Sequence, residues 1–171
     1  MRFLTMTLGL SFLLASTLAS AAELPEIPNM TQPDDQLLIG GQPDEAQLRQ
    51  AAAAGIEVVV NLRRTDEQVD FDQEAVVNEL GMRYLHLPIS GAADLTPESA
   101  EAFGEILETI DGQRALLHCA SGNRVGALFA LHAGLHQGLD TEEAIEYGRE
   151  RGLGDLDEAV RERLEHKRAD N

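Results

Sequence analysis

Between the apolar triplet Ala115-Leu116-Leu117 and the apolar run that begins at Val125 stands His118-Cys119-Ala120-Ser121-Gly122-Asn123-Arg124, and this junction constrains the fold more than any other stretch. A buried strand, a tight turn at Gly122 and a helix fit that order. Such a turn aims several backbone N–H groups and the positive end of the helix dipole at one point. Cys119, the single cysteine of the 171 residues, stands at that point. A helix N-terminus and a neighbouring guanidinium favour the thiolate, and surroundings of this kind bring cysteine pKa values to about 3.5–7.5 in proteins generally. The planar fork of Arg124 suits a tetrahedral oxyanion. The pattern predicts a nucleophilic Cys119 facing an anion, with Ala120, Ser121, Gly122 and Asn123 as the oxyanion-binding loop.

Strand and helix signals alternate along the rest of the chain. Gln36–Ile39 is predicted as a strand ending in Gly40-Gly41, and Pro43-Asp44-Glu45 opens a helix that stops at Gly55. The β-branched run 56–62 reads as a buried strand, 70–80 as a helix ending before Gly81, and 82–87 as a strand ending before Pro88. Thr96 is the predicted N-cap of a helix running to Ile110. Val125–Gln137 is the helix leaving the cysteine loop, with Gly126 and Ala127 keeping its first turn slim against the sheet. Thr141-Glu142-Glu143 caps a further helix, and 155–168 forms a last one whose Glu and Arg residues suit a solvated, ion-paired face. The alternation predicts an α/β domain with a mostly parallel central sheet flanked by helices. Ligands bind such sheets beyond the carboxyl ends of the strands, where Cys119 falls.

The N-terminus reads as a secretory signal: Arg2, an apolar stretch from Leu8 to Leu18, then Ala19-Ser20-Ala21-Ala22. The predicted organisation is a signal over 1–22, an extended linker over 23–35 with Pro25, Pro28 and Pro33, and one domain over 36–171. Export to the periplasm or medium follows, with no stable membrane insertion after processing. The formal charge of −17 argues against nucleic acid as a partner. An anion site on such a protein has to be locally positive, and Arg63, Arg64 and Arg124 are the candidates, with Arg63 a candidate substrate-binding residue. His118 should point to the sheet face opposite Cys119, as a hydrogen-bonded structural histidine. His132 and His136 lie four apart on one helix without an evident third ligand, so a solvated helix face is expected and no metal. No dinucleotide or phosphate-binding glycine loop is present, and no cofactor is predicted.

The segments Leu38-Ile39-Gly40-Gly41-Gln42-Pro43, Val58-Val59-Val60-Asn61-Leu62-Arg63, Tyr84-Leu85-His86-Leu87-Pro88-Ile89 and His118–Arg124 resemble the phosphatase-like domain of the beta-lactamase-hydrolase-like family, over about residues 37–138. That family is similar in fold to dual-specificity protein phosphatases. The resemblance implies a phosphatase cradle with Cys119 as nucleophile and Arg124 plus the loop N–H groups as oxyanion binders. Three departures accompany it. Four residues separate Cys119 from Arg124 where the phosphatases have five, as in the short loop of rhodanese-type sulfurtransferases. Ser90-Gly91 stand where those phosphatases carry a catalytic Asp, leaving Asp94 as the nearest acid. Val125 follows Arg124 where a Ser or Thr hydroxyl is usual.

A phosphoester with a poor leaving group needs a proton donor, whereas sulfur transfer between thiols does not. The departures therefore favour a rhodanese-like sulfurtransferase, in which Cys119 takes sulfur from a sulfane donor, holds it as a persulfide and passes it to a thiol. The alternative is a phosphatase working through a phosphocysteine, with Asp94 as acid. A non-catalytic anion-binding or redox-sensing module is the third reading. The expected partners are a small thiol, a sulfane compound or a phosphoester; no feature assigns an oligomeric state.

Overall fold

The computed structural model describes residues 23–67 and 69–169, and the stretch read as a secretory signal lies outside them. Four short strands, Leu37–Gly40 (β1), Val58–Asn61 (β2), Arg83–His86 (β3) and Ala115–His118 (β4), pair in the order β1-β4-β2-β3, every neighbouring pair parallel. The register aligns Gly40 and Asn61 with His118, so the chain leaves β1, β2 and β4 at one edge of the sheet.

Side chains alternate across the pleat. Ile39, Val58, Val60, Ala115, Leu117 and Cys119 face a core built with helices Pro97–Thr109 (α3), Asn123–His136 (α4), Thr141–Arg149 (α5) and Asp157–Ala169 (α6). Leu38, Val59 and Leu116 face the other side, with Leu48 and Ala51 of Glu45–Ala53 (α1) and Val77 of Gln73–Glu79 (α2). Both faces are covered, which is why the central strands are hydrophobic throughout rather than alternating with polar residues. Each fully buried Val or Leu contributes about 1.5–3 kcal/mol before the ordering entropy is subtracted.

The helices begin where local chemistry satisfies their first amides. Asp44, Asp72, Thr96 and Asp140 accept a backbone N–H from the first turns of α1, α2, α3 and α5, with reciprocal capping boxes at α1, α3 and α5. Two sequence expectations shift by one position here. Pro43 precedes the cap of α1 rather than entering the helix, and Asp140, not Thr141, caps α5, because the aspartate oxygen reaches the Glu143 N–H. A short 3-10 turn at Ala92–Asp94 has no counterpart in the sequence reading.

The stretch 23–35, expected as an extended linker, instead turns at Pro28-Asn29, with Asn29 at φ +53°, and packs on the domain. Ile27 is buried, the Gly41 N–H donates to the Pro28 carbonyl at 2.7 Å, and Thr31 and Ile39 exchange backbone hydrogen bonds of 2.8 and 2.9 Å. Burying Ile27 adds apolar area that a free linker would leave in water. Gly126 also differs from expectation: its lack of a side chain admits the turn between α5 and α6 rather than the sheet. A Cβ there would lie 2.1 Å from the Leu153 nitrogen. On the same contact, a Cβ on Gly148 would lie 2.7 Å from the Ala130 Cβ. Gly126→Ala is expected to lower stability by about 1–3 kcal/mol through this overpacking. Urea denaturation should show an earlier midpoint with an unchanged slope.

Candidate active site

Cys119 follows β4 directly, and Arg124, five residues on, lies in the first turn of α4. The helix starts at Asn123, two residues before the sequence-predicted start, so Arg124 rides on a helical turn instead of a flexible loop. Gly122 is its N-cap at φ +92°, a left-handed conformation that a β-carbon would strain. That conformation turns the Gly122 N–H onto the Cys119 Sγ at 3.1 Å. The neighbouring chain braces the loop: Cys119 N–H donates to Gly40, Gln42 N–H to Ala120, and the Asn29 side-chain amide to the Ser121 carbonyl. Asn123 accepts the Gly154 N–H at 2.7 Å and donates to Asp155. The first amides of α4 have no acceptor inside the helix.

Cys119 is 1% exposed and Arg124 8% exposed, so both are buried, the thiol at the edge of the core it shares with Leu117 and Val125. Arg124 turns inward: its guanidinium donates to the Ile89 carbonyl at 2.7 Å and interacts with the Cys119 side chain. Its two terminal nitrogens also grip Glu67, at 2.5 Å to Oε1 and 2.8 Å to Oε2. Glu67 further accepts the Arg64 N–H at 2.9 Å and the Arg63 Nε at 3.2 Å. The guanidinium hydrogen bond from Arg124 holds the Glu67 carboxyl down at about 2, against the desolvation that opposes it. The chain segment after β2 thus brings one cation, Arg63, and one carboxylate, Glu67, to Arg124.

Arg63 also donates to the Gln42 side chain at 2.5 Å, and it lines two surface clefts, of about 580 and 230 Å3. Pro43, Val69 and Phe71 share the larger cleft with it. Arg64 turns away to an exposed bidentate pair with Asp66. Asp94, the acid nearest in sequence to the expected position, accepts the Ser90 N–H at 2.6 Å. That bond holds its carboxyl below the ordinary aspartate range.

Beneath the loop, on the opposite sheet face, lies a buried polar chain. Gln73 donates to His118 Nε2 at 2.8 Å, which leaves the His118 proton on Nδ1, facing the Cys119 carbonyl at 3.3 Å. Gln73 in turn accepts from Asn61 and Gln42, and Asn61 donates to the Tyr84 hydroxyl. Full burial depresses the His118 pKa from 6.5 to about 3, so the ring is a neutral strut. His132 bonds the Ala100 carbonyl and stacks on His136. Among the described residues no three potential metal ligands gather. The sequence reading missed Glu67, Gln42 and Gln73. Glu67 stands four residues after Arg63 at a strand's carboxyl end, a spacing that could have flagged it.

A thiol and an inward guanidinium on a strand–turn–helix, at the carboxyl edge of a parallel sheet, define the class of thiolate-based, phosphatase-like α/β enzymes. Residues 30–136 match the phosphatase-like domain of beta-lactamase hydrolase-like proteins, and the chain belongs to that family. A beta-lactamase hydrolase-like protein of Xylella fastidiosa is 28% identical over 131 residues, 74% of this chain and 30% of that protein. One from Agrobacterium fabrum is 26% identical over 132 residues. The chain therefore spans about a third of the length of the curated relatives it matches. Among solved structures, a candidate phosphatase (DUF442) of Shewanella putrefaciens CN-32 is 25% identical, with TM-score 0.60 over 83% of this chain and 94% of that one. Tk-PTP, at 23% identity and TM-score 0.60 over 82% and 98%, shares the fold.

Gln73→Leu, which leaves His118 Nε2 buried without its donor, is expected to cost about 1–3 kcal/mol in chemical denaturation near neutral pH. The depressed His118 pKa has a further sign: its contribution is fully present above pH 6.5 and is lost as pH falls toward about 3. Stability should decline over that window, and less steeply in His118→Gln.

Proposed function

We propose that the protein is a cysteine-dependent phosphoester hydrolase. The Cys119 sulfur attacks phosphorus, the P–O bond breaks, and the leaving oxygen takes a proton. Water then attacks the phosphocysteine, releasing phosphate and restoring the thiolate. Arg124 and the loop amides stabilise the charge on the three equatorial oxygens. The observation that carries this reading is the Cys119 sulfur under the Gly122 N–H at 3.1 Å, with the Arg124 guanidinium turned inward to the Ile89 carbonyl on the same strand–turn–helix. The family's phosphatase-like designation and the DUF442 structure support phosphoryl chemistry over sulfur transfer. Asp94 would have to leave the Ser90 N–H to serve as acid, so substrates with good leaving groups should be favoured. Pro43, Val69 and Phe71 give the cleft beside Arg63 apolar surface that suits an aryl group, among the acidic side chains of Asp44, Glu45 and Asp70, and TpbA, a protein of this fold, has been solved with phosphotyrosine. Export remains part of this proposal and rests on the N-terminal sequence alone.

Sulfur transfer is the second reading, favoured by the four-residue spacing between Cys119 and Arg124 and by the engagement of Asp94 with Ser90. Its reaction needs no proton donor.

An aryl phosphate assay separates the two. Wild-type protein should hydrolyse it, and Cys119→Ser should abolish turnover. Arg124→Lys should lower kcat by about 10²–10³-fold, because a point charge replaces a bidentate fork. No phosphate release, together with thiocyanate formed from thiosulfate and cyanide, would replace the hydrolase by the sulfurtransferase.

A further inference from the structure

The guanidinium that would hold an oxyanion already holds a carboxylate. Glu67 presents two oxygens to the two terminal nitrogens of Arg124 in the fork-to-fork geometry that arginine uses for carboxylate and phosphate alike. Arg63 adds a third donor from its Nε, and the Arg64 backbone a fourth. The carboxylate is only one-fifth exposed, and the sulfur beside Arg124 is almost entirely covered. Four donors surround this carboxylate, two from Arg124, one from Arg63 and one from the Arg64 backbone, so the guanidinium an anionic substrate needs is engaged by the chain itself. Arg64 and Asp66 pair outward from the same segment, in a contact that does not involve Arg124.

We propose that Glu67 is an internal competitor for the anion seat: a substrate oxyanion reaches Arg124 and Arg63 by displacing the Glu67 carboxylate, and Glu67 thereby sets the affinity of the site. The proposal rests on that part of the functional reading which seats an oxyanion on Arg124. Displacement costs no net ion pair, because the incoming anion takes over the guanidinium donors that Glu67 gives up. The free carboxylate returns to water, on a segment whose remaining contacts, Arg64 with Asp66, stay in place. Apparent affinity falls in proportion to the fraction of protein with the seat open. An anion able to offer more charge or more acceptor oxygens than a carboxylate is the natural displacer, which selects for phosphoryl and sulfuryl groups over simple carboxylates.

The test is calorimetric binding of inorganic phosphate to full-length protein carrying Cys119→Ser, which removes turnover. In that background Glu67→Gln should bind phosphate about tenfold more tightly, the gain for a seat open one-tenth of the time. Glu67→Asp keeps the charge but shortens the reach, and it should also bind more tightly than the parent. Asp66→Asn removes an equal charge from the same segment without touching Arg124, and it should change affinity little. Unchanged or weaker binding in Glu67→Gln, or an equal gain in Asp66→Asn, overturns the proposal. Should Glu67→Gln fail to fold, Glu67→Asp decides alone: tighter binding supports the competitor, and equal or weaker binding overturns it. Because binding needs no turnover, tighter phosphate binding in a protein inert toward aryl phosphate would reject the hydrolase and keep the competitor. Turnover with unaltered affinities would do the reverse.

Discussion

The parallel pairing of β4 between β1 and β2 is the constraint on which the rest depends. Parallel strands all leave the sheet at the same edge, so Gly40-Gly41-Gln42, Asn61-Leu62-Arg63 and His118-Cys119 are brought together although they stand far apart in sequence. One strand in another register would move the Gly40 carbonyl away from the Cys119 N–H and the Ala120 carbonyl away from Gln42. The alternation that buries Leu117 and Cys119 toward α4 also sends His118 to Gln73. A single pleat thus supplies both the nucleophile and the strut under it.

Charge at the site runs against the charge of the whole. A chain at −17 repels anions at long range, yet screening at physiological salt confines that field to about 8 Å. At close range Arg63 and Arg124 both contact Glu67, and Asp44, Glu45, Asp70, Asp72 and Glu74 line the clefts that Arg63 borders. Two guanidiniums held by backbone and side-chain acceptors give this cluster its positive charge, and Glu67 partly cancels it. The local charge is therefore a balance between these guanidiniums and carboxylates, while the acidic exterior keeps the protein dispersed in water.

Much of this was legible in the sequence because it rests on local rules. The β4–loop–α4 junction followed from an apolar triplet, a glycine and an amphiphilic boundary, and Thr96 was readable as a cap from the Thr-Pro-Glu-Ser pattern. The family resemblance rested on the same stretches and named the fold correctly. What escaped was non-local. Glu67 reaches Arg124 across 57 residues, and Gln73 reaches His118 across 45, distances over which periodicity carries no information. The packing of Ile27 was hidden for a related reason: three prolines in 23–35 describe an extended backbone, but not whether that backbone lies on a surface. The shift of the α5 cap from Thr141 to Asp140 is smaller, a choice between two adjacent oxygens that only the helix axis decides.

The brace on Asn123 comes from Gly154 and Asp155, and the turn at Gly152-Leu153 lies against Gly122 and Gly126. The family match ends at residue 136, so the rigidity of the nucleophile's loop is borrowed from a part of the chain outside the signature. Two members of such a family can share every hallmark residue and still differ in how firmly they hold the sulfur. Divergence in tempo between relatives can accordingly originate in the α5–α6 turn, remote from any atom that would meet a substrate.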